Sequence, residues 1–217
     1  MGVTNPDAPP KRRYSMILVP LDADGVEVVR DVPVFGYHDR GGHAEIAYHD
    51  VRVPASNLIA NEGDGYMIAQ ARLGPGRVHH CMRAIGSAER AFDLMVARAK
   101  QRTAFGSTLG EKGIVQDWIA EARWRIGQAR LLVLYTAWLI DTQGNRAARR
   151  EISAIKVVAP RAALWVLDRA IQIHGGMGVS DDTPLARLWA HTRTLRIADG
   201  PDEVHNMVLA RRELGRY

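Results

Sequence analysis

The 217-residue sequence contains a single cysteine, Cys81, so it can form neither an internal disulfide nor a metal cluster built from cysteines. It also lacks a long apolar run, because the longest uncharged one, from 131 to 140, has only ten residues, whereas a membrane span needs about 20. The Pro-rich, basic amino terminus has no apolar segment of the kind found in secretory signals. We therefore expect a soluble cytoplasmic protein without a membrane span.

Blocks of basic residues are absent as well, although 29 Lys and Arg against 24 Asp and Glu give a net charge of +5. Basic and acidic residues are interleaved along the chain, which is typical of solvated helix surfaces. This pattern predicts no nucleic-acid partner and a mild preference for anionic ligands.

The composition that remains is that of a globular protein, with 47% hydrophobic and 24% charged residues. Short β-rich runs at 16–19, 25–29 and 44–48 are separated by Pro and Gly, which predicts a small antiparallel β element. From Gly65 onward, apolar residues recur every three or four positions, as in amphipathic helices. We predict a mainly α protein, with an up-and-down helical bundle at 61–217 preceded by the β element at 1–60.

Three long helices are predicted, at about 66–101, across 114–133 and at 151–174, with short helices after Pro184 and Pro201. The second helix has a continuous apolar stripe, formed by Ile114, Trp118, Ala122, Ile126, Ala129 and Val133. Four further features are expected to shape these helices: an interruption at Gly74-Pro75-Gly76, a break at Gly144-Asn145, a kink at Pro160 and a glycine cap at Gly175-Gly176.

The run His79-His80-Cys81 groups three potential metal ligands, and no other His or Cys has the i,i+4 spacing of a ligand pair. Adjacent residues on a helix point about 100° apart, so these three side chains cannot converge on one ion. The sequence predicts no metal site.

Two glycine-rich segments, Gly74-Pro75-Gly76-Arg77 and Gly175-Gly176-Met177-Gly178, have two interpretations. They fit turns or helix caps, because neither has the strand-then-helix context of a phosphate-binding fingerprint. Arg77 beside the first and Gln172 before the second also fit a nucleotide lying on helix ends.

Two other segments also have two interpretations each. Arg102 to Gly106 ends the first long helix either as a cap or as an anion contact. The loop Asp199-Gly200-Pro201-Asp202-Glu203 brings carboxylates to a helix start, where they favour capping; alternatively, Asp199 is a general base on a glycine-hinged turn.

Taken in order, four segments resemble the C-terminal half of the acyl-CoA dehydrogenase family, flavoenzymes that desaturate acyl-CoA thioesters between Cα and Cβ. The segments are 102–106, 116–126, 172–178 and 197–201. Residues 16–59 look like the last strands of the family's middle β domain. The Asp-Gly-Pro-Asp-Glu loop is similar to the branch of human family members ten and eleven.

The resemblance implies the following site. Asp199 matches the catalytic base, which is Glu in most members, and Gly200 follows it beside the substrate. Arg77 matches an Arg near the CoA moiety. The residues that match FAD contacts, some of them across a subunit interface, are Arg102, Phe105, Gln172, Gly175, Gly176, Pro201 and Glu203.

The resemblance also implies acyl-CoA as substrate, FAD as cofactor, a homodimer or homotetramer, and electron-transfer flavoprotein as the electron acceptor. Five tryptophans on an amphipathic bundle independently favour self-association. Because the family's N-terminal helical domain has no counterpart here, we expect the sequence to be the second half of such an enzyme. The alternative is a non-catalytic assembly module that retains the family's oligomerisation surface.

Overall fold

The computed structural model describes residues 1–38 and 42–215. The chain divides into two compact units, Met1–Leu73 and Gly74–Tyr217. The expected boundary at residue 60 lies earlier than this division and stays a prediction. Among the residues described, no helix is both long and apolar enough to cross a lipid bilayer.

The first unit contains short antiparallel strands. They are β1 (Gly2–Val3), β2 (Tyr14–Ile17), β3 (Val26–Asp31), β4 (Ala44–Tyr48) and β5 (Leu58–Ile59). Strand β2 pairs with β1 on one side and β5 on the other, while β3 and β4 form a separate hairpin whose register shifts between Val28 and Arg30. The three predicted strands correspond to β2, β3 and β4, and the predicted antiparallel element is confirmed.

The remaining elements are mostly helical, as predicted. They are α1 (Gly65–Gln101), β6 (Thr103–Ala104), β7 (Ser107–Thr108), α2 (Gly113–Ala147), α3 (Arg149–His174), α4 (Gly176–Val179), α5 (Leu185–Thr194) and α6 (Asp202–Leu214). Helix α1 runs through Pro75 without the expected interruption. Beyond Pro75, one face of α1 packs in the core of the bundle from Val78 to Ala99, and tertiary packing of this kind can override the low helix propensity of a proline.

The core of the bundle is built from the helical stripes. Every apolar member of the α3 stripe, from Ile152 to Ile173, is buried. In α2 the prediction was wrong at one position, because Ile114 is 58% exposed and its neighbour Val115 is buried instead. One residue along a helix is a rotation of about 100°, which is enough to move a side chain from core to solvent.

The glycine breaks fall where the sequence places them. Gly144 leaves helical geometry inside α2, with φ 80° and ψ 165°. Gly175 caps α3 with φ 62°, a conformation that glycine adopts without steric penalty. The helix continues past Pro160, which is fully buried.

Contacts between the helices set their directions. Glu89 on α1 pairs with Arg123 on α2, whereas Gly74, earlier on α1, lies against Asn145, later on α2. Helices α1 and α2 are therefore antiparallel. Helices α2 and α3 are antiparallel too, because Trp118 and Arg125 on α2 meet Arg169 and Trp165 on α3, in that order. It follows that α1 and α3 run in the same direction.

Tryptophan and arginine alternate along the α2–α3 contact. Arg169 lies 5.4 Å from the ring centroids of both Trp118 and Trp165, and Arg125 lies 4.8 Å from Trp165 and 5.0 Å from Trp124. Each guanidinium thus lies between two indole rings, within the range of cation–π attraction. We refer to these five residues as the Trp–Arg ladder.

Candidate active site

The loop between α5 and α6 has an unusual backbone at Asp199 and Gly200. Their φ angles are +56° and +107°. Asp is one of the few non-glycine residues that adopt the left-handed region with little penalty, whereas glycine is the residue expected for the second angle. These two residues turn the chain sharply immediately before α6 begins.

The carboxylate of Asp199 does not cap α6. The N-cap residue is Pro201, and no side-chain hydrogen bond caps the helix there. The first residue of α6, Asp202, is 2% exposed, and its Oδ2 accepts hydrogen bonds from Arg161 Nε at 2.9 Å and Arg196 Nε at 2.8 Å. The capping interpretation of Asp199 is therefore wrong, and the structural carboxylate of this loop is Asp202.

One turn of α1 holds Asp199 instead. Arg77 Nε donates to the backbone carbonyl of Asp199 at 3.0 Å, and His80 Nε2 lies 3.2 Å from Asp199 Oδ2. A Cβ at Gly76 would lie only 3.6 Å from the same Oδ2. The carboxylate thus rests on a glycine surface, remains 19% exposed, and contacts a histidine at one oxygen.

Two further residues contact backbone carbonyls of the loop. Lys156, on α3, is fully buried, and its Nζ donates to the carbonyls of Leu195 and, at 3.5 Å, of Gly200. His205, on α6, has Nε2 3.3 Å from the carbonyl of Asp199. The backbone on both sides of the Asp199 side chain is therefore fixed by donors from three helices.

The electrostatics follow from burial. Burial lowers the pKa of His80 and of His205 below the ordinary value of 6.5, so both rings are neutral near pH 7. Burial also lowers the pKa of Lys156, against the attraction of Cys81 and Asp199. It raises the pKa of the Cys81 thiol to about 12, which makes this cysteine an inert core residue. A partly exposed carboxylate beside a neutral imidazole can accept a proton from a bound ligand.

The predicted site residues fall into two groups. Asp199, Gly200 and Arg77 are brought together, and Pro201 and the exposed Glu203 follow them at the start of α6. The other five, Arg102, Phe105, Gln172, Gly175 and Gly176, follow the end of α1 or lie at the end of α3. Since these two helices run in the same direction, this second group lies at the opposite end of the bundle, and Arg102 is about 37 Å from Arg77 along the axis of α1.

Phe105 has the most exposed side chain of the second group. It forms the two-residue turn of the β6–β7 hairpin together with Gly106, with φ angles of +53° and +81°. Two successive positive φ angles fit a type I′ turn, which favours Asn-Gly. A phenylalanine held in this conformation and 98% exposed is unfavourable in the isolated chain.

Sequence reasoning missed His80, Lys156 and His205 as parts of the site. The sequence around Lys156 does indicate a buried lysine. Lys156 is the one charged residue between Ile152 and Pro160, in a segment that is otherwise apolar or small. His80 gave no such indication, since its role depends on a contact with a loop that is remote in sequence.

Comparison with known proteins adds the following findings. The family described as acyl-CoA dehydrogenase, C-terminal domain, matches residues 63–214. The chain is 61% identical over 216 residues to "Probable acyl-CoA dehydrogenase FadE2" of Mycobacterium tuberculosis, with all of this chain and 53% of that protein covered. It is 56% identical to acyl-CoA dehydrogenase family member 11 of Gallus gallus, covering 99% of this chain and 28% of that protein.

A solved structure gives the same result. A Mycobacterium abscessus protein assigned as an acyl-CoA dehydrogenase superposes with a TM-score of 0.96 at 52% identity, covering all of this chain and 53% of the other. The chain therefore spans about half the length of that protein and of the M. tuberculosis relative, and a smaller share of the Gallus gallus protein.

Proposed function

This chain belongs to the acyl-CoA dehydrogenase family, and from that membership we propose that it forms the C-terminal half of an FAD-dependent enzyme that desaturates acyl-CoA thioesters. The observation that carries the proposal is the position of Asp199. Its carboxylate is partly exposed, makes no helix cap, and is held by a turn of α1 through Arg77 and His80. A carboxylate with no structural task in the helix is free to act on a ligand.

In the proposed reaction, Asp199 removes the substrate's α-proton. The Cα–H bond breaks, a new O–H bond forms on the carboxylate, and the electron pair becomes the Cα–Cβ double bond as hydride leaves Cβ. Bound FAD would supply the hydride acceptor, with electron-transfer flavoprotein as the next acceptor that the resemblance implies. Because Asp is one methylene shorter than the Glu of most members, the base must start closer to Cα, and this requires a rigid loop.

The residues assigned to FAD fit an anionic, flat ligand. Arg102 is exposed and forms no ion pair with an acidic side chain in the part of the chain that the structure describes, so its planar donors are available to a phosphate. Phe105 offers an aromatic face to solvent, and a Cβ at Gly175 or Gly176 would meet nothing within 4 Å. In this proposal these residues, with Gln172, hold the adenosine diphosphate portion, while Pro201 and Glu203 border the flavin ring.

The separation of the two groups supports an active site completed by two copies of the chain. Within one copy, Arg102 lies about 37 Å from Arg77 along α1, and the hairpin that carries Phe105 follows it at the other end of the bundle. A homodimer or homotetramer can bring the hairpin of one copy to the Asp199 end of another. An exposed apolar stripe on α2, formed by Trp124, Leu131, Leu134, Tyr135 and Trp138, is available for such contacts.

Substrate contacts are proposed at the Asp199 end. Arg77 Nε is engaged by the carbonyl of Asp199, and the other guanidinium nitrogens have no hydrogen bond to the residues described. They are therefore available to a phosphate of CoA. Gly200 adds no side chain beside the base, and this leaves room for the thioester.

The decisive experiment compares Asp199→Asn with Asp199→Glu in the full-length enzyme, using a panel of acyl-CoA substrates and an artificial electron acceptor. An amide has no usable proton affinity, so Asn is expected to lower kcat by about a hundredfold or more without loss of folding, and Glu to do so less. Asp181→Asn, in an exposed loop, is the matched control. Full turnover by Asp199→Asn would favour the alternative, a non-catalytic assembly module.

A further inference from the structure

The two carboxylate oxygens of Asp199 have different surroundings on the α1 turn that they face. Oδ2 lies 3.2 Å from His80 Nε2 and rests over Gly76, the residue one turn earlier on the same helix. Oδ1 makes no hydrogen bond or ion pair with the residues that the structure describes. One oxygen is thus held against the protein, and the other is available to a ligand.

The imidazole of His80 has a preferred protonation state. Its Nδ1 is buried and has no hydrogen-bond partner among the described residues. A proton on Nδ1 would be a buried, unsatisfied donor, so the neutral ring carries its proton on Nε2, the nitrogen that faces Asp199. The ring therefore presents its N–H on the side of Oδ2, and the Nε2–Oδ2 separation of 3.2 Å is a close polar contact rather than an aligned hydrogen bond.

We propose that His80 is a positioning residue for Asp199, holding Oδ2 so that Oδ1 is the oxygen that takes the substrate's α-proton. This inference rests on the proposed function of Asp199 as the base. Positioning matters here because the shorter Asp side chain has fewer ways to reach Cα than Glu, and a misplacement of about 1 Å can lower a rate about a hundredfold.

The charges around His80 favour its neutral form. Asp199 approaches from the α5–α6 loop, Lys156 from α3, and Arg83 and His79 from α1 itself. Burial and the three basic neighbours all lower the pKa of His80, and only Asp199 raises it. When acid does protonate His80, the imidazolium attracts the Asp199 carboxylate more strongly than the neutral ring does.

The test uses the full-length, FAD-loaded enzyme with His80→Ala and His80→Gln, and His79→Ala as the exposed neighbour control. We expect His80→Ala to lower kcat by about tenfold or more with little change in KM, because His80 contacts the base rather than the substrate. His80→Gln keeps a side-chain N–H and is expected to recover much of the rate. His79→Ala is expected to match the parent.

Two additional measurements separate positioning from a structural role. Exchange of the substrate's α-proton for deuterium in D2O reports proton removal without hydride transfer, and it should slow in His80→Ala by the same factor as kcat. The acid limb of kcat/KM in the parent should contain a contribution from the protonation of His80, whose pKa burial holds below 6.5, and this contribution should be absent in His80→Gln.

The two possible failures are distinguishable. If His80→Ala retains the parent's rate and exchange, or His80→Gln retains the parent's acid limb, while Asp199→Asn is inactive, the role of His80 is overturned and the role of Asp199 is retained. If Asp199→Asn turns over normally, the proposed function itself fails. Should His80→Ala not fold, the acid limb of His80→Gln decides the question.

Discussion

The ammonium of Lys156 lies 3.5 Å from the carbonyl oxygen of Gly200, so a buried cation from α3 anchors the residue that follows Asp199. The same ammonium donates to the carbonyl of Leu195 at the other end of the loop. One side chain thereby fixes both ends of the segment that carries the proposed base. A buried charge is expensive unless it is fully hydrogen-bonded, and these two carbonyls offset part of that penalty.

Replacing this lysine tests how much the loop depends on it. Lys156→Met leaves both carbonyls without their donor, and we expect the free energy of unfolding to fall by about 1–3 kcal/mol. Urea denaturation measures this change, with Lys100→Met, at an exposed position, as the control. Equal stability of the two variants would show that Lys156 contributes nothing to the loop.

The pKa shifts of the buried histidines predict how stability depends on pH. Because burial holds the pKa of His205 below 6.5, the unfolded chain binds more protons than the folded protein as pH falls below 6.5. The free energy of unfolding should therefore decline on acidification through this window and level off above it. His80 contributes with the same sign.

Substitution of His205 separates its contribution to the pH dependence of stability from the contribution of the carboxylates. Denaturation of His205→Gln between about pH 5 and pH 8 should show a shallower decline than the parent, whereas His79→Gln, at an exposed position, should keep the parent's slope. An unchanged slope in His205→Gln would contradict the assignment.

The hairpin at Phe105 predicts a conflict between stability and function. Phe105→Asn supplies the residue that a type I′ turn prefers, so we expect thermal stability to be unchanged or higher. The full-length enzyme should nevertheless retain FAD less well, because the proposed contact between the Phe105 ring and FAD would be lost. Measurements are the unfolding temperature and the flavin content after dialysis. Lower stability together with normal flavin content would show that the phenylalanine serves the fold alone.

The exposed stripe on α2 predicts self-association of the chain. Leu131 is 69% exposed at its centre, between Trp124 and Trp138, and Leu131→Glu should shift the protein toward monomer because a charge would be buried in the contact. Leu214→Glu introduces the same charge at a 78% exposed leucine on α6 and is the control. Light scattering at micromolar concentration provides the readout, and a monomeric parent would refute the prediction.

Much of the fold followed from periodicity. The α3 stripe was predicted completely because its residues share one buried face, on which Ile152 joins a small cluster and the other members join the main core. The breaks at Gly144 and Gly175 followed from the tolerance of glycine for positive φ. The five tryptophans, which favoured an exposed apolar surface for self-association, were a weaker guide. Trp118, Trp165 and Trp189 pack partly against the core, and only Trp124 and Trp138 are exposed.

The site was predictable only in part. The motif around Asp199 carried the resemblance, but local chemistry favoured a helix cap, and only the ion pairs of Asp202 show which carboxylate supports the helix. The apolar neighbours of Lys156 in the sequence indicate that this lysine is buried, but they do not show which loop it contacts. Contacts between remote segments decide such roles, and no local pattern encodes them.

The Trp–Arg ladder gives the bundle an optical property of its own. The fluorescence of an indole depends on nearby charge and on exposure to water, and Trp118 and Trp165 each lie against guanidinium groups from the other helix of the α2–α3 pair. Separation of these helices removes the cations and hydrates the rings at once. The emission of Trp118 and Trp165 therefore contributes a component to the protein's spectrum that depends on the contact between α2 and α3, without any added label.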